Sequence, residues 1–204
     1  MHNEILTSEQ QELFPYISQF KRTFYLVGGT AIALHIGHRE SIDYDLFIFN
    51  KLNRSRVKRQ LLTIPFRQKI IFEDVDQLHF YINDVKVTFF SYPYKVEHPV
   101  AVGNIITMPT LLSLAAMKAF ALGRRAKWKD YVDLYFLVKN YFSIAEISCE
   151  ATRLFSEQFS EKLFRQQLAF HKDINYSEEV KYFPGFEVNP EDIKQFLIDV
   201  SIKI

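Results

Sequence analysis

The sequence predicts an α+β fold, with its strands in the first half and its helices in the second. Three observations lead there. Short runs rich in Ile, Val, Phe and Tyr recur up to Tyr92. Two of them meet at Asn83-Asp84, a dipeptide suited to a tight hairpin. Beyond residue 107 the apolar residues recur at helical spacing. The expected domains are therefore 1–107 and a helical domain, 108–204, packed on it.

The elements follow in order. "TSEQQELFPYISQF" opens with a capping-box pattern at Thr7 or Ser8 and predicts a helix. "TFYLVGG" is a short buried strand that ends on glycines, and "TAIALHIG" a helix of about two turns stopped by Gly37. "IDYDLFIF" reads as a strand, and "KLNRSRVKRQLL" as a surface helix capped by Asn53. "FRQKIIFED", "QLHFYI" and "VKVTFFSY" predict three more strands. The segment holding Pro99 and Gly103 reads as a loop, and helices follow from "MPTLLSLAAMKAFALG" onward, interrupted around "YFPGFEVNP".

Composition narrows the class. A formal net charge of +1 gives no global attraction to nucleic acid or to a membrane. The single cysteine, Cys149, excludes an internal disulfide and suits a reducing compartment. The N-terminus lacks a signal-peptide pattern, and no apolar run reaches the length of a membrane span. A cytoplasmic protein without membrane contact is the expectation.

The chemistry concentrates in "FYLVGGTAIALHIGHRESIDYDLFIF". Gly28 and Gly29 lie where a strand must turn into a helix and where a ligand can approach the backbone closely. With Thr30 they begin a helix, whose free N–H groups and partial positive charge suit a phosphate. Asp43 and Asp45 are two apart on a strand, so both carboxylates leave the same face. Two such charges repel unless a cation lies between them, and a hard ion such as Mg²⁺ or Mn²⁺ takes oxygen ligands together with substrate phosphates. A glycine pair is commonly only a tight turn, and a D-x-D pair is commonly solvated. Here the aspartates interrupt an apolar run, and the twelve residues between Thr30 and Asp43 join the two motifs in one unit. No P-loop or G-x-G-x-x-G pattern is present, and His35 and His38 lack a clear third metal ligand.

"GGTAIALHIGHRESIDYDLF", together with "MKAFALGRRAKWKDYVDLYFLV", resembles the AbiEii/AbiGii-type nucleotidyltransferases of the DNA polymerase β-like superfamily, known as toxins of type IV toxin–antitoxin and abortive-infection systems. The resemblance spans roughly residues 20–140. It implies a nucleotidyltransferase-type mixed sheet flanked by helices, followed by a C-terminal helical bundle. It also implies Mg²⁺-dependent transfer from a nucleoside triphosphate to an acceptor such as the 3′ end of a tRNA, with an antitoxin as partner. Gly28, Gly29 and Thr30 would then hold phosphates, and Asp43 and Asp45 the metal. One departure is Thr88, which stands in "VKVTFFSYP" where the superfamily usually carries a third carboxylate. A catalytically impaired, nucleotide-binding regulatory module is therefore the alternative. A D-x-D glycosyltransferase is a weaker third reading, disfavoured by the glycine turn.

The helical half carries a second cluster. Leu111, Ala115, Lys118 and Leu122 share a stripe, which turns Lys118 inward. Asp130, Asp133, Leu134 and Leu137 share a face of the next helix, and an antiparallel hairpin would fold the aspartates back onto Lys118. The cluster is either a buried ion pair or part of the active site. The resemblance implies the second, with Lys118 neutralising phosphate and Asp130 positioning substrate or moving a proton. Two basic runs complete the inventory, "RSRVKR" and "RRAKWK", and the second suggests an RNA contact through its cations and Trp128.

Overall fold

The computed structural model describes residues 1–203 and contains two compact units, Met1–Thr110 and a second that begins at Leu111. In the first, helix α1 (Ser8–Ile17) starts on a complete capping box: the Thr7 hydroxyl accepts from Gln10 N–H, and the Gln10 side chain accepts from Thr7 N–H. Strand β1 (Tyr25–Val27), helix α2 (Gly28–Ile36), strand β2 (Asp43–Ile48) and helix α3 (Arg54–Leu61) follow. Strands β3 (Gln68–Glu73), β4 (Gln77–Ile82) and β5 (Val85–Ser91) complete a five-stranded sheet of order β1-β2-β5-β4-β3. Only β2 and β5 run parallel. The turn between β4 and β5 puts Asn83 and Asp84 at φ 51° and 60°, the left-handed pair that a two-residue hairpin requires.

The sheet has two unlike faces because successive residues alternate sides. Tyr44, Leu46, Val87, Phe89, Leu78 and Ile82 are fully buried on the back. There Phe14 stacks on Tyr44 at 5.8 Å, and Phe20 and Phe24 pack on Phe89 at 4.8 and 5.2 Å. The Tyr44 hydroxyl donates to Gln10 O at 3.0 Å, so the buried phenol is satisfied. On the front, Asp43, Asp45 and Phe47 are only half-buried. The segment read as a loop forms a hairpin instead, β6 (Val100–Val102) with β7 (Ile106–Met108). Gly103 supplies its turn with φ +54°, and strands of three residues carry too little alternation to be recognised.

The second unit is helical: α4 (Leu111–Leu122), α5 (Trp128–Asn140), α6 (Ile144–Phe155), α7 (Glu161–Ala169) and α8 (Pro190–Ile202). Ser143 and Glu146 form a capping box at the start of α6, and Asn189 with Pro190 starts α8. Phe120 stacks on Phe155 at 3.9 Å between α4 and α6. Among the described residues no helix is long and apolar enough to cross a membrane.

The two faces of β2 make opposite predictions. Leu46→Ala should cost about 2–5 kcal/mol in urea unfolding. Asp45→Asn, one residue away on the open face, should stay within about 1 kcal/mol because it relieves carboxylate repulsion without opening a cavity.

Candidate active site

The site begins at the break between β1 and α2. Gly28 has φ +76°, a left-handed conformation open to glycine at little cost. Its missing side chain is equally required by packing, since a Cβ there would stand 2.3 Å from Asp45 Oδ2. The backbone of Gly28, at the start of α2, therefore lies directly beside one carboxylate of the D-x-D pair. A Cβ on Gly29 would meet the Arg39 guanidinium at 2.5 Å. Arg39 is 3% exposed and anchored by donation to Glu40 O at 2.8 Å, so a cation is fixed beneath the turn.

Thr30 is turned inward. Its hydroxyl donates to the Asp43 carbonyl, which can only accept, so the Ser41 hydroxyl 2.8 Å away must donate to Thr30 in turn. These bonds fasten the start of α2 to the start of β2. What Thr30 can offer a phosphate is its backbone N–H.

Strand register places the neighbours. Val27, Asp45, Thr88 and His79 form one row across β1, β2, β5 and β4, and Asp43, Lys86 and Tyr81 form the next. Thr88 thus sits beside Asp45, where a third carboxylate would complete a metal site. Lys86 stands beside Asp43 and supplies positive charge at the edge of the pair. Burial, and then Lys86, push the His79 imidazole below its ordinary range, while Asp45 pulls the other way. His79 Nε2 lies 3.1 Å from Gln77 Oε1, which assigns the proton to Nε2 and leaves the Nδ1 lone pair open. Arg39, Ser41, Lys86 and His79 were absent from the sequence-derived site. A charge in "GHRES" was the visible signal for Arg39, whereas His79 depends on register alone.

These residues fit a divalent ion carried with a nucleotide. Two carboxylates share a half-open face, and the start of a helix adjoins one of them. Among the described residues no three His, Cys, Asp or Glu side chains converge on a metal site, so phosphate oxygens and water would supply the remaining ligands.

In the helical unit Lys118 reaches both aspartates, 2.8 Å to Asp130 Oδ1 and 2.9 Å to Asp133 Oδ2. Lys118 is 5% exposed and both aspartates are fully buried. Arg125 Nε adds a contact of 2.9 Å to Asp130 Oδ2. Burial raises the Asp130 carboxyl, but Lys118 and then Arg125 outweigh it and hold the group below its ordinary value. The basic run beside it is committed internally. Lys127 and Lys129 both bond Glu178, Arg124 lies 3.6 Å over the Phe120 ring, and Trp128 is 7% exposed under Tyr176. The predicted RNA contact through Trp128 has no exposed ring to use, because Glu178 and Tyr176 arrive from about fifty residues downstream to cover the run.

Gly28→Ala should lower the thermal midpoint and displace Asp45, because strained φ and a sub-van-der-Waals contact act together. Asp130 sets a pH dependence. Its folded pKa is depressed, so the stability it contributes is complete above the unfolded value of about 4 and is lost as pH falls below it. Thermal unfolding between about pH 5 and pH 3 should therefore show a steep fall for the native chain and a shallower one for Asp130→Asn.

Comparison with known proteins gives the family and the fold. The family model for the nucleotidyl transferase AbiEii toxin of type IV toxin–antitoxin systems matches residues 13–201. An uncharacterised protein of Aquifex aeolicus is 30% identical over 175 residues, covering 83% of this chain and 77% of its own length. MenT4, a nucleotidyltransferase toxin of Mycobacterium tuberculosis, superposes with a TM-score of 0.63 at 14% identity, over 95% of this chain and 80% of its own. A structure titled as a putative nucleotidyltransferase from Helicobacter pylori gives 0.56 at 18% identity, over 95% and 91%. With strand order, glycine turn and D-x-D pair in place and the family match running nearly end to end, the chain belongs to the AbiEii nucleotidyltransferase toxin family of type IV toxin–antitoxin systems.

Proposed function

We propose that the protein is a Mg²⁺-dependent nucleotidyltransferase that moves a nucleotide from a nucleoside triphosphate to a hydroxyl of an RNA acceptor, the 3′ end of a tRNA by family analogy, and that a cognate antitoxin opposes the resulting growth inhibition. The observation that carries this is the contact between the Cβ-less backbone of Gly28 and the Asp45 carboxylate. It brings the N–H groups of α2 and the metal-binding pair within reach of one triphosphate.

In this reading the backbone of Gly28, Gly29 and Thr30 binds phosphate oxygens, backed by the buried Arg39. Asp43 and Asp45 hold the ion, which would supply charge neutralisation on the transferring phosphate. The acceptor oxygen forms a bond to the α-phosphorus, the bond from that phosphorus to the β-phosphate oxygen breaks, and pyrophosphate leaves. Thr88 cannot take the hydroxyl proton. His79, neutral and in the same row, offers its Nδ1 for it, directly or through water. Lys118 and Asp130 keep the roles the resemblance implies, phosphate neutralisation and substrate positioning. Their pairing with Asp133 means that part of any loss on mutation will be stability, since unpairing a buried charge costs about 3–5 kcal/mol.

A second reading is favoured by one observation. The register that sets Thr88 beside Asp45 removes the carboxylate expected there, which suits a module that binds nucleotide without turning it over.

Transfer of label from α-labelled triphosphates to total RNA separates the two. The enzyme reading predicts labelled product from the native chain, none from Asp45→Asn or with EDTA, and a loss of at least about a hundredfold in His79→Gln. Triphosphate binding without product on any RNA supports the regulatory module. Full activity in Asp45→Asn would contradict both.

A further inference from the structure

The front face of the sheet continues past the metal row. Tyr25, Phe47, Phe90 and Gln77 form the next row, paired across β1, β2, β5 and β4. Phe47 lies two residues beyond Asp45 on the same strand and face, about 7 Å along it. The Phe47 and Phe90 rings meet edge-to-face at 5.0 Å with Tyr92 packed against both, and each keeps part of its surface exposed. One step further on that face, Phe49 is 50% exposed.

Phe49 also lines a cavity of about 510 Å³ with Tyr25, Lys95 and His98 among its walls. His98 stacks on Tyr25 with ring centres 4.5 Å apart and planes within 8°, and His98 Nδ1 contacts Thr107 Oγ1 at 2.9 Å. Tyr25 is 3% exposed, yet its hydroxyl has no hydrogen-bond partner among the described residues. A buried phenol without a partner is costly, and a polar ligand atom in the adjoining cavity would satisfy it. Neither row nor cavity has a part in holding phosphate or metal.

We infer that the Phe47–Phe90 row is a stacking platform for an unpaired nucleobase of the nucleotide or strand bound at the metal row, and that the Tyr25 hydroxyl reads that base or the next one from within the adjoining cavity. The inference rests on the nucleotidyltransferase reading and deepens it. Partly exposed aromatic rings one strand step from the proposed metal row suit a base, and the adjoining cavity offers Lys95 beside Glu97 for polar contacts. The base could belong to the triphosphate or to the end of the acceptor strand, and both present the same stacking surface.

The test compares three probes with Mg²⁺ present, by calorimetry. The probes are the four ribonucleoside triphosphates, inorganic tripolyphosphate (which has no base) and a short mixed-sequence oligoribonucleotide. A platform predicts that Phe90→Ala lowers affinity for a base-bearing probe about tenfold while tripolyphosphate binds as before, and that Phe90→Trp restores it with quenching of the new indole. Loss confined to the triphosphates assigns the base to the donor, and loss confined to the oligoribonucleotide assigns it to the acceptor. Tyr25→Phe should narrow the preference among bases without affecting tripolyphosphate.

Unchanged affinity for every base-bearing probe in Phe90→Ala would overturn the inference. So would an equal loss for tripolyphosphate, which would make Phe90 a packing residue of the metal row. If neither tripolyphosphate nor any nucleoside triphosphate binds the native chain, the nucleotide reading falls. The platform then survives only through oligoribonucleotide binding that Phe90→Ala abolishes, and absence of all binding sinks both.

Discussion

The architecture of the first unit depends on a single close approach: the backbone at Gly28 packed against the carboxylate of Asp45. A side chain at Gly28 would push the Asp45 side chain aside, beside the paired strand ends Val27 and Asp45. The contact brings the electropositive start of α2 to a strand that carries two negative charges. Part of the repulsion between Asp43 and Asp45 is thereby offset by backbone dipoles. The pair lies on a half-open face with Lys86 beside Asp43, and in the proposed function a divalent ion would neutralise it. Thr30 and Ser41 hold this geometry from below, and the apolar back face holds it rigidly.

The helical unit solves the opposite problem. Lys118, Asp130 and Asp133 are buried together, and their charges satisfy one another at hydrogen-bond distance. Arg125 leaves the cluster with two cations for two carboxylates, which is why the Asp130 carboxyl stays ionised in spite of burial. The same logic governs Glu178. Burial opposes its charge, but Lys127 and Lys129 outweigh it and pull its pKa down to about 2. A run that reads as a basic patch in one dimension is thus a neutralised seam in three.

Much of this was legible before any coordinates. Enrichment in Ile, Val, Phe and Tyr marks "IDYDLFIF" and "VKVTFFSY" as β2 and β5, because such side chains pack well on a pleated, half-buried surface. The hairpin residues Asn83 and Asp84 and the caps at Thr7 and Asn53 act locally, so they can be read locally. The pairing of Lys118 with both aspartates followed from helical period and a short connection. What escaped notice depends on partners remote in sequence. His79 joins the Asp45 row only through the register of two ladders, and Tyr25 joins Phe47 only through β1. Trp128 looked available because nothing near it in the chain announces the residues that cover it. The β6–β7 hairpin was missed for a different reason: three-residue strands carry almost no periodic signal.

The central claim is that the glycine turn and the D-x-D pair form one centre for a divalent ion and a triphosphate. Anomalous diffraction from crystals grown with Mn²⁺ and a non-hydrolysable nucleoside triphosphate tests it most directly. A manganese peak bound by both Asp43 and Asp45, with triphosphate oxygens on the free N–H groups of Gly28 to Thr30, is the result expected. A triphosphate bound elsewhere, or carboxylates that turn away from the ion at saturating manganese, would contradict it.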